Sequence, residues 1–523
     1  MTTAPASRNA GRTVGPAAGL LTLVIVGLHF WLLFHAGAFC GDEVNVINLA
    51  DTHSLSAMTH DSFPVLLPLL VSGWQAAGLG GSDLGLRSLG CLTGIGLVGA
   101  LWLVAWRARR APPLLGLVLL GLNGTAIFWT DYLRAYGLGS LLILLALAAL
   151  CFLLEKPTWK RTAILAVTAV LSVQALYQNA VFFAAIGVGG WVVCWLRKDK
   201  SCTLKILAAA LAAMISLLPY LGPLQNWQQA TTIRPGFSFK AALDNLCTVL
   251  GFPVSQYIWL WAALGGTVMV LGVAALFRGR AALLPAERGL APIERRALAA
   301  TVLLSSVAGY YVFLHLAALI TSPWYFVPLL VLAAASFDLG LSPTDLPGPW
   351  RLAAASLLVG TAGLSVAFAV RDLNCRFSNM DLVADRLAAK VEPQDYVVVT
   401  PWYFGISFHR YYHGGAAWDS LPPVADHSGY RFDLVPATAP DLARAMQPVY
   451  DRATIALKSG HRVWVVGWMS VPAPGHRAAS ETGRFLAEHS GSFAAVDLKI
   501  QGQTSDYENV SLLEADGWRA APP

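Results

Sequence analysis

AAGLLTLVIVGLHFWLLFHAGAFCGDE, residues 17–43, is an apolar run that ends in two acidic residues. The run from 17 to 36 is long enough to cross a bilayer core of about 30 Å, which takes roughly 20 apolar residues. Cys40, Gly41, Asp42 and Glu43 follow it, where a cleavable signal would carry a small-residue cleavage site. The stretch therefore predicts a retained membrane anchor that ends beside a pair of carboxylates.

Similar runs continue along the chain. Of 523 residues, 56% are hydrophobic and 13% are charged, whereas a soluble globular chain carries about a quarter charged residues. Ten further runs have the length and composition of a span: 84–106, 113–130, 135–154, 162–178, 180–196, 205–222, 257–277, 298–319, 323–338 and 351–370. The sequence predicts a polytopic α-helical membrane protein of about 11 spans.

The loop after the first span carries two weaker helical patterns. Phe63–Leu79 is apolar but short, and it contains Pro64, Pro68 and Gly73. Glu43–Leu55 alternates apolar and polar positions in the way typical of a helix that lies in the membrane interface. Both stretches are predicted to be interfacial helices in the first outside loop.

The basic residues define an orientation. Before residue 371, 18 lysines and arginines fall in segments on the side of the amino terminus and 4 fall in loops on the other side. Cytoplasmic loops are enriched in lysine and arginine. The amino terminus is therefore predicted to be cytoplasmic, in a bacterial inner membrane, and everything after the last span to be periplasmic.

The composition changes after residue 370. Residues 371–523 contain two patterns of buried strands, at 396–400 and 462–468, with helical stretches at 380–390 and 480–489 and further strands at 493–500 and 509–513. Strands that alternate with helices are typical of a layered α/β domain. We predict a transmembrane domain at 1–370 and a soluble periplasmic α/β domain at 371–523.

Several function classes are excluded by these patterns. The longest inside loop, 279–297, is too short to hold a nucleotide-binding domain, and the chain has no GxxxxGK[ST] loop. The seven cysteines show no CxxC spacing. The spans are nearly free of charge, and we interpret His29 and His315 as packed helix contacts. A nucleotide, a nucleic acid or an ion-coupled transport cycle is not indicated.

Ionisable and aromatic residues instead border the spans at their predicted outside ends. Carboxylates and guanidinium groups at headgroup depth suit the binding of a phosphorylated lipid and the activation of a nucleophile. The residues selected on these grounds are Asp42, Glu43, His60, Asp61, Arg87, Asp131, Arg134, Tyr136, Tyr177, Gln178, Arg234, Lys240, Trp324 and Tyr325. We expect them to face one cavity.

Three of these stretches resemble motifs of the C-type glycosyltransferase (GT-C) family. Asp42-Glu43 resembles its acidic signature, His60-Asp61 through Pro64 with Gly81–Arg87 resembles its H-P-P-L-Y…G-x-[SD]-E-x-x-x-R stretch, and Asp131–Tyr136 resembles its [DE]-x-x-R-x-Y turn. Similar members are the dolichyl-phosphate-mannose protein mannosyltransferases and the bacterial aminoarabinose and galacturonic acid transferases of lipid A. The resemblance covers about residues 17–340. It departs from the family at 61–64, where the proline pair is missing, and at 323–325, where Pro-Trp-Tyr replaces the usual Arg-Tyr.

The resemblance implies transfer of a sugar, with inversion, from a polyprenyl phosphate to an envelope glycolipid, polysaccharide or protein. Asp42 is the candidate base, and Glu43 would orient it, bind the acceptor or join it in holding a divalent metal ion. Arg134 is the first candidate for the donor phosphate, followed by Arg234, Lys240 and Arg87. The candidates for substrate binding are His60, Asp61, Asp131, Tyr136, Tyr177, Gln178, Trp324 and Tyr325.

Each of these residues also has a purely structural interpretation. Asp42-Glu43 would cap a helix, Arg134 would pair with Asp131, and Arg234 and Lys240 would be solvated loop charges. Trp324 and Tyr325 fit an interfacial aromatic belt. The aromatic residues at 402–418 are expected to pack this domain onto the membrane part rather than to bind sugar. A transporter or flippase of lipid-linked sugars, with the same anionic-lipid cleft, is the alternative function.

Overall fold

In this computed structural model the chain divides into two compact units. The second unit contains Phe34–Ser54 and Asn374–Pro523, and the first contains most of the remaining chain up to Leu373. The structure describes residues 6–109, 111–223, 236–278, 289–341, 348–436, 439–468, 481–498 and 503–520. Residues 34–54, which the sequence-based division placed in the membrane domain, are grouped with the carboxyl-terminal domain instead, so Asp42 and Glu43 belong to that unit.

Long helices make up the part of the chain before the carboxyl-terminal domain. They are α1 (Ala6–His35), α2 (Gly41–Asp51), α3 (Leu55–Thr59), α4 (Leu66–Trp74), α5 (Asp83–Arg109), α6 (Leu114–Gly116), α7 (Gly124–Asp131), α8 (Ala135–Glu155), α9 (Trp159–Ala175), α10 (Asn179–Arg197), α11 (Lys200–Ser216), α12 (Phe239–Leu250), α13 (Tyr257–Arg278), α14 (Pro292–Leu316), α15 (Val327–Gly340) and α16 (Gly348–Asp372). Turns of π-helix extend α4 (Gln75–Leu79) and α6 (Leu117–Gly121).

The prediction of a polytopic helical membrane protein is confirmed. In the described parts of the chain, nine helices are long and apolar enough to cross a membrane, and the count is ten if α6 and α7, which meet at a bend of 78°, form one broken span. This is fewer than the eleven predicted. The run expected at 162–178 is α9, whose 17 residues reach about 25 Å at 1.5 Å per residue, short of a core of about 30 Å.

The two helices predicted to be interfacial are formed, but one has different surroundings. Phe63–Leu79 contains α4 and its π-helical turn. Glu43–Leu55 contains most of α2, in which polar and apolar positions alike are buried, including Val44 and Asn45. An interfacial helix would expose one face, so α2 is better described as a core helix of the second unit.

The carboxyl-terminal part has the predicted α/β layers. Its helices are α17 (Met380–Ala388), α18 (Phe404–Tyr411), α19 (Ala439–Lys458) and α20 (Glu481–His489), and its strands are β1 (Cys375–Arg376), β2 (Tyr396–Thr400), β3 (Ala417–Ser420), β4 (Val463–Gly467), β5 (Ser490–Ala495), β6 (Gln503–Thr504) and β7 (Ser511–Trp518). Five strands form one sheet in the order β3-β2-β4-β7-β5, with β7 antiparallel to both neighbours, and β1 pairs with β6. The strands expected at 493–500 and 509–513 begin and end elsewhere, at β5 and β7.

Helices cover both faces of the sheet. Val397, Val399 and Trp464 share a core cluster with α17 and α18, whereas Tyr396 and Val398 share one with α19 and α20. Successive side chains of a strand point to opposite faces, so the unbroken valine run of β2 fits a strand that is buried on both sides. α18 also contacts α2, which places the start of α2 against this domain.

Candidate functional site

Carboxylates surround the first turn of α2. The backbone amide of Cys40 donates to Glu43 Oε2 at 3.2 Å, and the amide of Gly41 donates to Glu508 Oε2 at 2.7 Å. The first amides of a helix have no partner within the helix, and its positive dipole end favours negative charge. Glu43 and Glu508 thus fix the start of the helix, and Asp42 lies in the same first turn.

Asp42 is held by a residue from the other end of the chain. The hydroxyl of Tyr507 donates to Asp42 Oδ2 at 2.7 Å, and Asp42 is 9% exposed. Burial raises the pKa of Tyr507 well above its usual range, and the nearby carboxylate of Asp42 raises it further. Tyr507 therefore stays a neutral donor, and this contact orients one oxygen of Asp42.

Glu508 is a second acid at the same helix start. Ser378 Oγ donates to Glu508 Oε1 at 2.9 Å, and the carboxyl group is almost fully buried. Burial raises the pKa of Glu508 to about 7, although the hydrogen bonds from Gly41 and Ser378 oppose the shift. Near neutral pH this carboxyl is therefore partly protonated, which reduces the negative charge beside Asp42.

Glu43 fits the structural interpretation of the acidic pair. Its side chain is fully buried and caps its own helix. In the described residues, no group of three or more histidine, cysteine, aspartate or glutamate side chains is arranged to hold a metal ion. A divalent ion at Asp42 and Glu43 would thus depend on oxygen ligands from the substrate or from water.

Arg134, in the first unit, occupies a tight turn between α7 and α8. It is the residue before α8, with an extended backbone, and its amide donates to the carbonyl of Tyr132 at 2.6 Å. Its guanidinium group lies 4.5 Å from the centre of the Phe63 ring, and only 7% of the residue is exposed. The structure therefore buries the predicted phosphate-binding cation against an aromatic face.

Aromatic side chains continue from Phe63. The ring of Tyr136 meets Phe63 edge to face at 5.7 Å and stacks on Tyr325 at 5.6 Å. Trp324, the neighbour of Tyr325, lies 4.3 Å from Trp129. The structure thus brings together Arg134, Tyr136, Trp324 and Tyr325, which the sequence had separated by almost 200 positions.

Gln178 supports this aromatic cluster through hydrogen bonds. Its Nε2 donates to the carbonyl of Tyr325 at 3.1 Å, and its Oε1 accepts from the hydroxyl of Tyr310 at 3.1 Å. Tyr177 packs edge to face on Tyr220 at 5.4 Å, within electrostatic reach of Asp61. Gln178 therefore holds the backbone of Tyr325, whereas Tyr177 packs on Tyr220 beside this cluster.

Asp131 is bound to the first span. Nδ1 of His29 lies 2.8 and 2.9 Å from the two carboxylate oxygens of Asp131, and both residues are buried. The interpretation of His29 as a packed, hydrogen-bonded contact is confirmed. The carboxylate of Asp131, a predicted substrate ligand, is engaged within the helix bundle.

The remaining predicted residues have varied surroundings. Lys240 is 87% exposed and pairs with Asp244 one helical turn away at 2.8 Å, as in the solvated interpretation. His60 is exposed, with Nδ1 2.7 Å from the carbonyl of Ser56. Arg87 is buried on α5. Arg234 lies outside the described residues. Phe404, Phe408 and Tyr412 belong to a core cluster of the second unit, so they pack within it.

Sequence analysis missed the partners that orient the candidate residues. Tyr507 and Glu508 stand in a loop without a recognisable motif, 465 and 467 positions from Asp42 and Gly41. Phe63 had been noted as the start of a short apolar stretch and as part of a departure from the family pattern, but not as a partner of Arg134. Asp42 and Arg134 belong to different units, so their meeting in one cavity stays a prediction.

Comparison with known proteins bears on the fold. No known protein family and no curated protein matches the sequence. Among solved structures, the chain is similar to ArnT from Cupriavidus metallidurans bound to undecaprenyl phosphate, with a TM-score of 0.54 and 13% identity over 98% of this chain and 100% of that chain. The apo form of ArnT has a TM-score of 0.54 and 12% identity over 95% of this chain and 98% of that chain. The oligosaccharyltransferase of Archaeoglobus fulgidus has a TM-score of 0.46 and 12% identity over 86% of this chain and 69% of that chain.

The protein has the fold of ArnT. The likeness extends over both units and nearly the whole of each chain. The predicted architecture, a polytopic helical membrane domain followed by a carboxyl-terminal α/β domain, is therefore confirmed. With 13% identity, the likeness concerns the arrangement of the chain, and the function has to be argued from the residues themselves.

Proposed function

We propose that the protein is an integral membrane glycosyltransferase that moves a hexose or pentose from a polyprenyl-phosphate donor to an acceptor of the cell envelope. The observation that carries this proposal is the buried carboxylate of Asp42, oriented by the hydroxyl of Tyr507 at 2.7 Å. The ArnT fold supports it, because that protein was solved with undecaprenyl phosphate. A polyprenyl phosphate is already a good leaving group, so the acceptor hydroxyl is what needs activation.

Asp42 is assigned the role of general base. Its carboxylate would take the proton of the acceptor hydroxyl as the oxygen attacks the anomeric carbon, while the bond from that carbon to the phosphate oxygen breaks. The electron pair of the broken bond leaves with the lipid phosphate, and attack from the opposite side inverts the anomeric centre. A base in hydrogen-bond reach is typically worth about 10²–10⁴-fold in rate. The hydrogen bond from Tyr507 would keep the carboxylate of Asp42 oriented toward the acceptor hydroxyl.

Arg134 is assigned to the departing phosphate. Negative charge grows on the phosphate as the bond breaks, and a cation already in place stabilises it without reorganisation. A guanidinium group matches two phosphate oxygens in a bidentate geometry. The ring of Phe63 under the group restricts its orientation. Arg87, Arg234 and Lys240 stay secondary candidates, and Tyr136, Trp324 and Tyr325 would contact the sugar or the prenyl chain.

The distribution of basic residues supports a periplasmic reaction in a bacterial inner membrane. The bias of 18 to 4 in the loops favours a cytoplasmic amino terminus. Asp42 follows the first span, so Asp42 and the compact unit that contains it would then lie on the periplasmic side, where no nucleotide sugar is available. A polyprenyl-phosphate donor fits that compartment, and a glycolipid, a polysaccharide or a protein of the envelope would be the acceptor.

The Asp42→Asn variant tests the proposal. Purified full-length protein in detergent would be given a panel of undecaprenyl-phosphate sugars with an envelope extract, and release of undecaprenyl phosphate would be measured. Asp42→Asn should lower the rate by about 10²-fold or more while binding of undecaprenyl phosphate is retained. Asp51→Asn, an exposed carboxylate on the same helix, is the matched control and should leave the rate unchanged.

The same purified protein, reconstituted into vesicles, distinguishes the glycosyltransferase from the alternative function, a flippase. A flippase would carry a labelled undecaprenyl-phosphate sugar across the bilayer of a reconstituted vesicle without releasing the lipid phosphate, and Asp42→Asn would not impair that movement. Unimpaired sugar transfer by Asp42→Asn would remove Asp42 from the mechanism. Translocation without transfer by the wild-type protein would replace the glycosyltransferase proposal with the flippase.

A further inference from the structure

The pair formed by His29 and Asp131 is an unusual feature of the helix bundle. His29 lies within the first span and Asp131 at the end of α7, 102 positions later. Nδ1–H of His29 donates to both carboxylate oxygens, at 2.8 and 2.9 Å, and side-chain exposure is 3% and 5%. Ionisable groups within spans are costly and rare, so their retention usually marks a functional region.

Two glycines of α5 make room for this pair. A Cβ at Gly94 would lie 2.0 Å from Asp131 Oδ1 and 2.6 Å from His29 Nδ1, and a Cβ at Gly90 would lie 2.0 Å from the carbonyl oxygen of Asp131. Gly90 and Gly94 are four residues apart and therefore share one helix face. Small residues with this spacing allow close approach of a neighbouring backbone. The helix surface is shaped to accommodate Asp131 in one position.

Asp131 begins the turn that contains Arg134. α7 ends at Asp131, the backbone of Tyr132 is extended, and the amide of Arg134 closes onto the carbonyl of Tyr132 at 2.6 Å before α8 begins. Gly137 fixes the other side of this turn, because a Cβ there would lie 2.0 Å from the carbonyl oxygen of Thr130. With both ends of a three-residue connection fixed, the path of Arg134 is set by where Asp131 is anchored.

We propose that His29 is a positioning residue for Arg134: its hydrogen bonds to Asp131, seated on Gly90 and Gly94, hold the turn that presents the guanidinium group to the lipid phosphate. This inference rests on the proposed function, since it assumes that Arg134 binds the donor phosphate. A misplacement of about 1 Å in a positioning group costs up to about 10²-fold in an enzyme. His29 thus contributes to donor binding without touching the donor.

Two substitutions at His29 separate positioning from mere packing. His29→Leu keeps a side chain branched at Cγ and removes the donor, whereas His29→Asn places an amide nitrogen where Nδ1 stands. Binding of undecaprenyl phosphate to the full-length protein in detergent is the readout, with thermal unfolding measured in parallel. We expect affinity on the order of tenfold weaker for His29→Leu and within about twofold of wild type for His29→Asn. His315→Leu, the other lone span histidine, should bind normally.

Substitutions of glycine provide a test that leaves both partners intact. Gly94→Ala should push Asp131 and His29 apart and weaken binding as His29→Leu does. Gly99→Ala lies on the same helix with nothing within 4 Å of the added Cβ and should bind like wild type. If His29→Leu does not fold, the comparison of Gly94→Ala with Gly99→Ala still decides. Normal binding by a folded His29→Leu or Gly94→Ala variant, or equal loss in His29→Leu and His29→Asn, would overturn the assignment.

The binding readout also keeps this inference separate from the proposed reaction. If the wild-type protein binds undecaprenyl phosphate but releases none from any sugar-linked donor, the transferase proposal fails, whereas weaker binding in His29→Leu still supports the role of His29. If Arg134→Gln binds undecaprenyl phosphate as wild type does, the premise is lost and the role of His29 is refuted with it.

Discussion

Replacing Glu508 with glutamine should remove a pH-dependent cost from the second unit. Glu508 is 3% exposed, and burial raises its pKa from 4.5 to about 7. With a raised pKa, the folded state holds a proton that the unfolded state has lost between these values, so the free energy of unfolding falls as pH rises from about 4.5 to about 7. At about 1.4 kcal/mol per pKa unit, the cost above pH 7 is about 3 kcal/mol.

Glutamine avoids this cost because it carries no charge. Its carbonyl can accept from the amide of Gly41 and its amide can donate to the hydroxyl of Ser378, so the contacts with these two residues are kept. The variant should therefore differ little from wild type at pH 5 and should be more stable at pH 8. For a unit of this size, about 3 kcal/mol corresponds to a Tm difference of about 6–12 °C.

Thermal unfolding of the full-length protein in detergent, followed by near-UV circular dichroism at pH 5 and pH 8, measures this effect. Glu488→Gln is the control, because Glu488 is exposed on α20 and surface substitutions change stability by about 0.5 kcal/mol or less. The reasoning fails if the Tm difference between Glu508→Gln and wild type is the same at both pH values.

Three further variants test other contacts. Tyr507→Phe removes the hydrogen bond to Asp42 and should lower kcat about tenfold with binding of undecaprenyl phosphate unchanged. Its control is Tyr396→Phe, which removes a tyrosine–carboxylate hydrogen bond to Asp419 elsewhere in the same unit and should keep kcat. Equal losses of kcat in the two variants would contradict the role of Tyr507. Asp338→Ala leaves the amides of α6 at Leu115 and Gly116 without their acceptor, at about 1–3 kcal/mol each, so a lower Tm is expected and an unchanged Tm would refute this accounting. Tyr310→Phe loses the bonds to Gln178 and to the carbonyl of Tyr325 and should weaken binding of undecaprenyl phosphate a few-fold; identical affinities would show that this support is dispensable.

Hydropathy located the spans because each buries its backbone polar groups within its own helix. The apolar runs at 396–400 and 462–468 located the central strands, since runs of valine suit a strand covered on both faces. The same logic failed for α2. A pattern of mixed polar and apolar positions predicts one exposed face, but Asn45 has its side-chain oxygen on the amide of Tyr430, and Asn48 donates to the carbonyl of Ser428. Partners so remote in sequence leave no local signal.

The residues of the candidate site could be predicted from the sequence only where they belong to a short sequence motif. Asp42 and Arg134 were selected from short patterns, whereas their neighbours came from contacts between distant segments: Tyr507 for Asp42 and Phe63 for Arg134. Asp338 was overlooked, because an apolar window conceals a single acid near the end of a span. Its partners are backbone amides of a broken helix, and a sequence does not reveal which amides lack a partner.

Buried carboxylates in the second unit are of two kinds. Asp395 accepts from the amides of Glu392 and Arg462 and from the indole of Trp464. Burial alone would raise its pKa, but these hydrogen bonds and the charge of Arg462 together lower it. Donors on both oxygens hold such an acid ionised and turned into the fold, which makes it a structural residue and a poor base.

Asp42 and Asp395 are both buried, with 9% and 3% of the residue exposed. They differ in the hydrogen-bond donors that hold their carboxylates. Oδ2 of Asp42 accepts from a side-chain hydroxyl, that of Tyr507, and Asp42 lies in the first turn of a helix whose leading amides are taken by Glu43 and Glu508. Those two acids occupy the capping positions that Asp42 would otherwise fill. Because Glu508 is partly protonated near neutral pH, the helix start does not gather three full charges. Among these acids, Asp42 is the one that a side-chain hydroxyl orients, while Glu43 and Glu508 accept the leading amides of the helix, and this division of contacts supports its assignment as the base.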